Sequence, residues 1–213
     1  MQYVERSIDS QDWIILILVG SFVVLAMLSV LYKKRFEDFI KLPISNNFFI
    51  AKGTTDEIKH PFNILLFSLQ IVSISLFVLL FFPEETQHNS GLFLQIFIGV
   101  FVLVVTKLFI EKMMGTIFSI ENVINSYLYK KLTYTNYLSF FIFIANLFFY
   151  FSFKPSLNTL LVFTTVCLLF YSFIIYYSIK NYRTLLFSNF FYFILYLCTL
   201  EISPYIILYK ALV

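Results

Sequence analysis

WIILILVGSFVVLAMLSVLYKKR, from Trp13 to Arg35, decides the fold class. Its first twenty residues, Trp13 to Tyr32, carry no charge. At about 1.5 Å per residue a helix of that length covers the roughly 30 Å hydrocarbon layer of a bilayer. The basic cluster Lys33-Lys34-Arg35 follows the apolar run rather than preceding it. The leader Met1 to Asp12 holds Glu5, Asp9 and Asp12 against Arg6 alone. A cleaved signal needs a basic start, a shorter apolar core and a small-residue cleavage site. This order of charges predicts a retained anchor whose N-terminus is translocated.

Working outward, the same apolar density recurs along the chain. Pro61 to Phe82 closes at Pro83-Glu84-Glu85, and Leu92 to Ile110 ends at Glu111-Lys112. Tyr137 to Phe153 is shorter and bounded by Asn136 and Lys154-Pro155, Thr159 to Ile179 stops at Lys180, and a last run extends from Leu185 to Leu200. The expectation is an all-α transmembrane bundle of about six spans, 13–32, 61–82, 92–110, 137–153, 159–179 and 185–200, forming one domain over 1–213. Composition agrees: 60% of the residues are hydrophobic, 13% are charged, and 29 Phe and 15 Tyr occur in 213 positions. A soluble domain of that size could not hide so much apolar surface.

Basic residues near membrane ends are retained in the cytoplasm, so alternate loops set the orientation. One set holds Lys33, Lys34, Arg35, Lys41, Lys52, Lys59, Lys112, Lys130, Lys131, Lys180 and Arg183, with Lys107 at the edge of the third span; the other holds Arg6, Lys154 and Lys210. This asymmetry predicts an N-terminus outside and three cytoplasmic loops. It also explains the net charge of +3 without any nucleic acid.

Two cytoplasmic segments, 33–60 and 111–136, have amphipathic spacing. In the first, Phe36, Phe39, Ile40 and Leu42 alternate with Arg35, Glu37, Asp38 and Lys41, which predicts a short helix ending before Pro43. In the second, Met113, Met114, Ile117, Phe118, Ile120, Val123, Ile124, Tyr127 and Leu128 follow a helical period that prolongs the third helix or bends at Gly115. Such faces either sit on lipid or dock another protein. For docking, Phe36, Phe39, Ile40, Met113 and Met114 are the candidate residues, since Met adapts to irregular partner surfaces.

No catalytic constellation emerges. His60 and His88 stand at opposite ends of the second span and so cannot share a haem or metal within one chain. C-x-x-C, H-E-x-x-H and Gly-rich phosphate motifs are missing, and Cys167 and Cys198 read as small apolar fillers inside spans. The expectation is therefore no enzyme and no cofactor. Ionisable or amide groups inside spans are the remaining signals, because polar groups in hydrocarbon are costly. Gln70, Lys107, Asn146, Asn189 and Glu201 are the candidates. Lys107 is placed to snorkel toward the headgroups with Glu111, one turn later, as its partner. The amides read as packing contacts between helices, or, if they converge with Glu201, as the lining of a transport or lipid-handling cavity.

The opening M-Q-Y-V-E-R, the tryptophan-led first helix, Phe36 to Phe49 reading F-E-D-F-I-K-L-P-I-S-N-N-F-F, and Asp56 to Phe67 reading D-E-I-K-H-P-F-N-I-L-L-F resemble an uncharacterised integral membrane family, a domain of unknown function, of Bacteroidota. The resemblance extends along the whole chain. It implies a multi-pass protein of the bacterial inner membrane and, from lineage, an accessory role in secretion, motility or envelope biogenesis. The partners implied are the lipid bilayer and other membrane subunits or further copies of the chain. It assigns chemistry to no residue. The resulting expectation is a noncatalytic subunit acting through protein contacts; the alternative is a small transporter or lipid-handling protein.

Overall fold

A computed structural model describes residues 12–42, 60–87, 89–117, 121–152 and 155–180, all helix and short connection with no strand among them. The expected span 185–200, with Asn189 and Glu201, lies outside the described residues, as does His88. In chain order the helices are α1 (Asp12–Leu31), α2 (Lys33–Ile40), α3 (Pro61–Leu79), the single turn α4 (Glu84–Gln87), α5 (Ser90–Ile117), α6 (Glu121–Phe151) and α7 (Leu157–Lys180). Four of them, α1, α3, α5 and α6, are long and apolar enough to cross a membrane, which is the mark of a membrane protein. A shorter apolar stretch, Leu157–Phe173, lies in α7.

Local chemistry accounts for the boundaries. Pro61 occupies the first helical position of α3, where its missing N–H costs nothing. His60 caps the same end: its Nδ1 accepts from the Phe62 N–H at 3.2 Å. Pro83 begins the connection into α4, where Thr86 and Gln87 side chains return hydrogen bonds to the carbonyls of Pro83 and Phe82. Asn89 Oδ1 then accepts from the Gly91 N–H and opens α5. Each device satisfies a terminal backbone group that the helix itself leaves unpaired.

Helix directions follow from the contacts. Ile14, Leu18, Leu76, Leu79 and Phe143 are buried together, with Trp13 and Phe93 packed beside them at 5.1 Å between rings. This is the Pro83 end of the bundle. At the other end Leu28, Phe39, Leu42, Phe62 and Tyr129 form a second buried cluster. We call it the basic end, because Lys33, Lys34, Arg35 and Lys41 lie there. Helices α1 and α5 therefore run opposite to α3 and α6. Ser73 meets Asn146 and Leu76 meets Tyr150, so α3 and α6 run side by side in one direction as the central pair. Helix α7 returns along α6, with Phe163 packed on Phe77 and Phe149.

Two expected segments change their role. The short helix before Pro43 exists as α2, but Phe36 and Phe39 of its apolar face are turned inward and Ile40 stays exposed. Phe39 is 1% exposed and stacks edge-on to Phe62 and Tyr137, sealing the basic end of the bundle. The segment 111–136 is divided: Glu111 to Ile117 continues α5, and Glu121 onward is the first half of a single helix that runs to Phe151. Helix α6, the fourth long apolar helix, is thus 31 residues long, where the apolar run alone marked only 137–153. With Ser73 level with Asn146, the α5–α6 hairpin continues about 20 Å past the first turn of α3.

A close crossing locks that hairpin. A Cβ added at Gly115 would stand 3.1 Å from Ile124 Cβ and 3.2 Å from its Cγ2, whereas one at Gly99 would meet nothing within 4 Å. Ile124 is β-branched and stiff, so it cannot retreat cheaply. Gly115→Val is expected to destabilise the protein by about 1–3 kcal/mol through overpacking, read as a lowered thermal unfolding midpoint in detergent, while Gly99→Val leaves the midpoint within a degree or two of wild type. Equal midpoints for the two variants would show that the hairpin is not closely packed.

Candidate functional site

The interior of this bundle is polar along one seam. Among the described residues, Gln70, Ser73 and Ser75 of α3 and Lys131, Thr133, Asn136, Ser139 and Asn146 of α6 are buried, each 5% exposed or less. On α6 the positions facing α3 recur at helical spacing, 136, 139, 143, 146 and 150, and only Phe143 among them is fully apolar. Helix α6 therefore hides its polar stripe against α3, while Phe141, Phe148 and Phe151 point outward. That inversion is what an apolar surrounding demands, because a polar group facing hydrocarbon has no hydrogen-bond partner there.

The hydroxyls turn back on their own helices. Ser73 donates to the Leu69 carbonyl, Ser75 to Ile71, Thr133 to Tyr129 and Ser139 to Thr135, all at 2.8–2.9 Å. They neutralise themselves and bridge nothing. The amide and the phenol do bridge: Asn146 Nδ2 donates to the Ser73 carbonyl at 2.8 Å, and the Tyr150 hydroxyl donates to the Leu76 carbonyl at 3.0 Å. These two bonds sit one turn apart on both helices and set their register. Among the described residues, the buried oxygens Gln70 Oε1, Asn136 Oδ1, Asn146 Oδ1 and Glu111 Oε2 accept no hydrogen bond.

The charged residues occupy the basic end. Lys131 Nζ lies 2.5 Å from Glu111 Oε1, both side chains are less than 10% exposed, and the ammonium also stands 5.6 Å from the Tyr127 ring centroid. Lys131 counted as a cytoplasmic-loop residue in the sequence; in the fold it is an interior residue of α6. Glu111 is consequently the partner of Lys131 and not of Lys107. Lys107 reaches across to α7, where its Nζ is 3.3 Å from the Tyr171 hydroxyl and 5.7 Å from the ring centroid. Side chains on a helix tilt toward its N-terminus. For α5 that is the Pro83 end, so the Lys107 stem leans into the bundle and away from the expected snorkelling direction.

The structure brings Asn146 to within one turn of Gln70 along α3. Lys107 lies apart from them on α5, and Asn189 and Glu201 are outside the described residues. Of the candidate docking residues, Phe39 is in the core and Phe36 is partly buried against both end clusters. Ile40 and Met113 are each 48% exposed, and the Met114 side chain is outside the described set. Ile117, 65% exposed, joins them at the same end. Sequence reading missed the Glu111–Lys131 pair. Twenty residues and a hairpin separate the partners, and no periodicity links them. Among the described residues no three His, Cys, Asp or Glu side chains gather in metal-binding geometry.

Breaking the ion pair should cost more than deleting it, because a lone charge is then left buried. Lys131→Met is expected to lower stability by about 3–5 kcal/mol, and the double variant Glu111→Leu/Lys131→Met to recover most of that loss. A double variant no more stable than Lys131→Met would mean that the two groups do not interact. In the seam, Asn146→Leu should cost about 1–2 kcal/mol in the same thermal assay, the range of a hydrogen bond between membrane helices.

The chain belongs to the family described as a domain of unknown function (DUF4271), whose model matches residues 14–212. The segments Phe36–Phe49 and Asp56–Phe67 that carry the family resemblance fall inside this match. No curated protein matches the chain. No solved structure matches it either.

Proposed function

We propose that this member of the DUF4271 family is a noncatalytic, multi-pass subunit of a complex in the bacterial inner membrane, acting through protein contacts at its basic end. The observation that supports this reading most directly is the exposure of Ile40, Met113 and Ile117 beside the charged residues Lys34, Glu37, Lys41 and Lys112. Apolar side chains flanked by charge lie beyond the fully apolar part of their helices, where lipid tails no longer cover them. A partner surface would. Lys33, Lys34, Arg35, Lys41, Lys112 and Lys130 support a cytoplasmic location for this end by the positive-inside rule, in a proposed topology of about six spans with the N-terminus outside. A Bacteroidota envelope machine for secretion, motility or biogenesis is the setting that the family resemblance implies.

The alternative is a small transporter or lipid-handling protein. The buried polar seam of Gln70, Ser73, Asn136 and Asn146 favours it, since polar side chains facing a bundle interior are the usual lining of a transport path.

Orientation is tested by single cysteines in a chain with Cys167 and Cys198 replaced by Ala. Ser7→Cys in intact cells should react with a membrane-impermeant maleimide, and Lys34→Cys only after the membrane is opened. The reverse pattern would invert the topology and move the docking surface to the other side. The subunit reading itself is tested by affinity purification from native membranes in mild detergent with intact-mass sizing. Stoichiometric recovery of other envelope proteins is expected, reduced at least tenfold by Ile40→Glu together with Met113→Glu at unchanged expression. Recovery of a solitary monomer or homodimer would favour the transporter.

A further inference from the structure

We propose that the seam between α3 and α6 is an internally hydrated track, in which water molecules donate hydrogen bonds to Glu111, Asn136, Gln70 and Asn146 and link the basic end of the bundle to its middle. This goes beyond the docking reading and stands independently of it, because none of its residues lies on the proposed docking surface.

The argument starts from the four oxygens. Glu111 Oε2, Asn136 Oδ1, Gln70 Oε1 and Asn146 Oδ1 all lie in residues 5% exposed or less, and none has a hydrogen-bond partner among the described residues. All four are acceptors, so the chemistry that would satisfy them is a donor. Each unmet acceptor in a dry interior costs about 1–3 kcal/mol, a penalty the fold would carry four times over. Buried water is the usual remedy where a site is polar enough to offer it two to four bonds.

Their spacing converts four separate needs into one path. Taking α6 as the ruler at about 1.5 Å per residue, Asn136 lies about 7.5 Å beyond Lys131, the partner of Glu111. Ser139 follows at about 4.5 Å, and Asn146 about 10 Å further on. Gln70 falls into that last interval, because it precedes Ser73 by three residues on α3 and Ser73 is level with Asn146. Along the α6 axis the largest rise between neighbouring polar groups is therefore about 7.5 Å, and the step from Lys131 to Asn136 also turns by about 140° around the helix. The hydroxyl of Ser139 donates to Thr135 and keeps its lone pairs for an incoming donor. Asn146 likewise holds its own position by donating through Nδ2 to the Ser73 carbonyl, which leaves Oδ1 for the guest. At the far end the path closes against Leu76, Leu79 and Ile14, an apolar cluster with nothing to offer water. The track is thus a blind inlet from the basic end.

The test is water-edited solid-state NMR on the wild-type chain in phosphatidylethanolamine–phosphatidylglycerol bilayers, with labelled Asn, Gln and Phe assigned sequentially so that no variant has to fold. Phe143, buried on the same face of α6 between Asn136 and Asn146, is the internal dry standard. Magnetisation from water is expected to reach the side-chain carbonyl carbons of Asn136, Gln70 and Asn146 at least threefold faster than the Phe143 ring. Build-up at Gln70 and Asn146 as slow as at Phe143 would overturn the proposal, and so would fast build-up confined to Asn136, because the inlet would then end at the interface.

Discussion

The bond from Asn146 to the Ser73 carbonyl fixes the register of the central helix pair, and most of the remaining packing depends on it. Helices in lipid gain little from hiding apolar surface, since the tails are as apolar as Leu. What selects one arrangement of α3 against α6 is the need of polar groups for partners, together with close packing. Asn146 and Tyr150 reach the carbonyls of Ser73 and Leu76 one turn apart, so a slip of one residue would break both bonds. Once α3 and α6 are set, α1 and α5 lay their Pro83-end residues against Leu76, Leu79 and Phe143, and α7 lays Phe163 against Phe77 and Phe149.

The second constraint is the α5–α6 hairpin. It runs past the start of α3, where Tyr129 packs with Phe39 and Phe62 and the closest crossing is between its own two helices. Gly115 lets the helices approach, Ile124 fills the space, and Lys131 neutralises Glu111 at the point where the hairpin leaves the bundle. A buried ion pair is weak evidence of stability, because desolvation offsets most of the attraction. Its effect here is positional: any other registration of α5 on α6 would strand a charge in the interior. The pair and the amides thus do the same work at different depths, penalising wrong arrangements more than they stabilise the right one.

That reasoning explains which features the sequence disclosed. Trp13–Tyr32, Pro61–Phe82 and Leu92–Ile110 were legible because each is predominantly apolar and ends at charge or proline, and the structure has helices in all three. Helix α6 was legible only in its second half. Lys130, Lys131, Thr133, Thr135 and Asn136 read as a polar connection, since hydropathy counts each residue as though it stood alone in lipid. In the fold Lys131 meets Glu111, Thr133 and Thr135 satisfy themselves on carbonyls four residues back, and Asn136 is buried in the seam. Phe39 failed for a related reason. Its amphipathic helix was correctly placed, but spacing identifies an apolar face without saying what covers it, and here the cover is Phe62, Tyr137 and the rest of the bundle. Gln70 and Asn146 were legible as a pair of mid-span amides. Their approach through Ser73 was not, because the bonded groups are 73 positions apart in the chain.

Lys107 shows the same principle from the opposite side. A lysine near the end of a membrane helix is expected to extend toward the headgroups, and its distance from Glu111 suits an ion pair one turn away. Helix direction decides otherwise. Because α5 runs toward the basic end, its side chains tilt back toward the apolar middle, and Tyr171 of α7 supplies both a hydroxyl and a ring face for the ammonium. Glu111 is left for Lys131, which is 5% exposed. One acid therefore serves the more deeply buried of two bases, while the other is held by an aromatic group that carries no charge. The Lys107–Tyr171 contact ties α7 to α5 through a polar interaction that apolar contacts alone would not define.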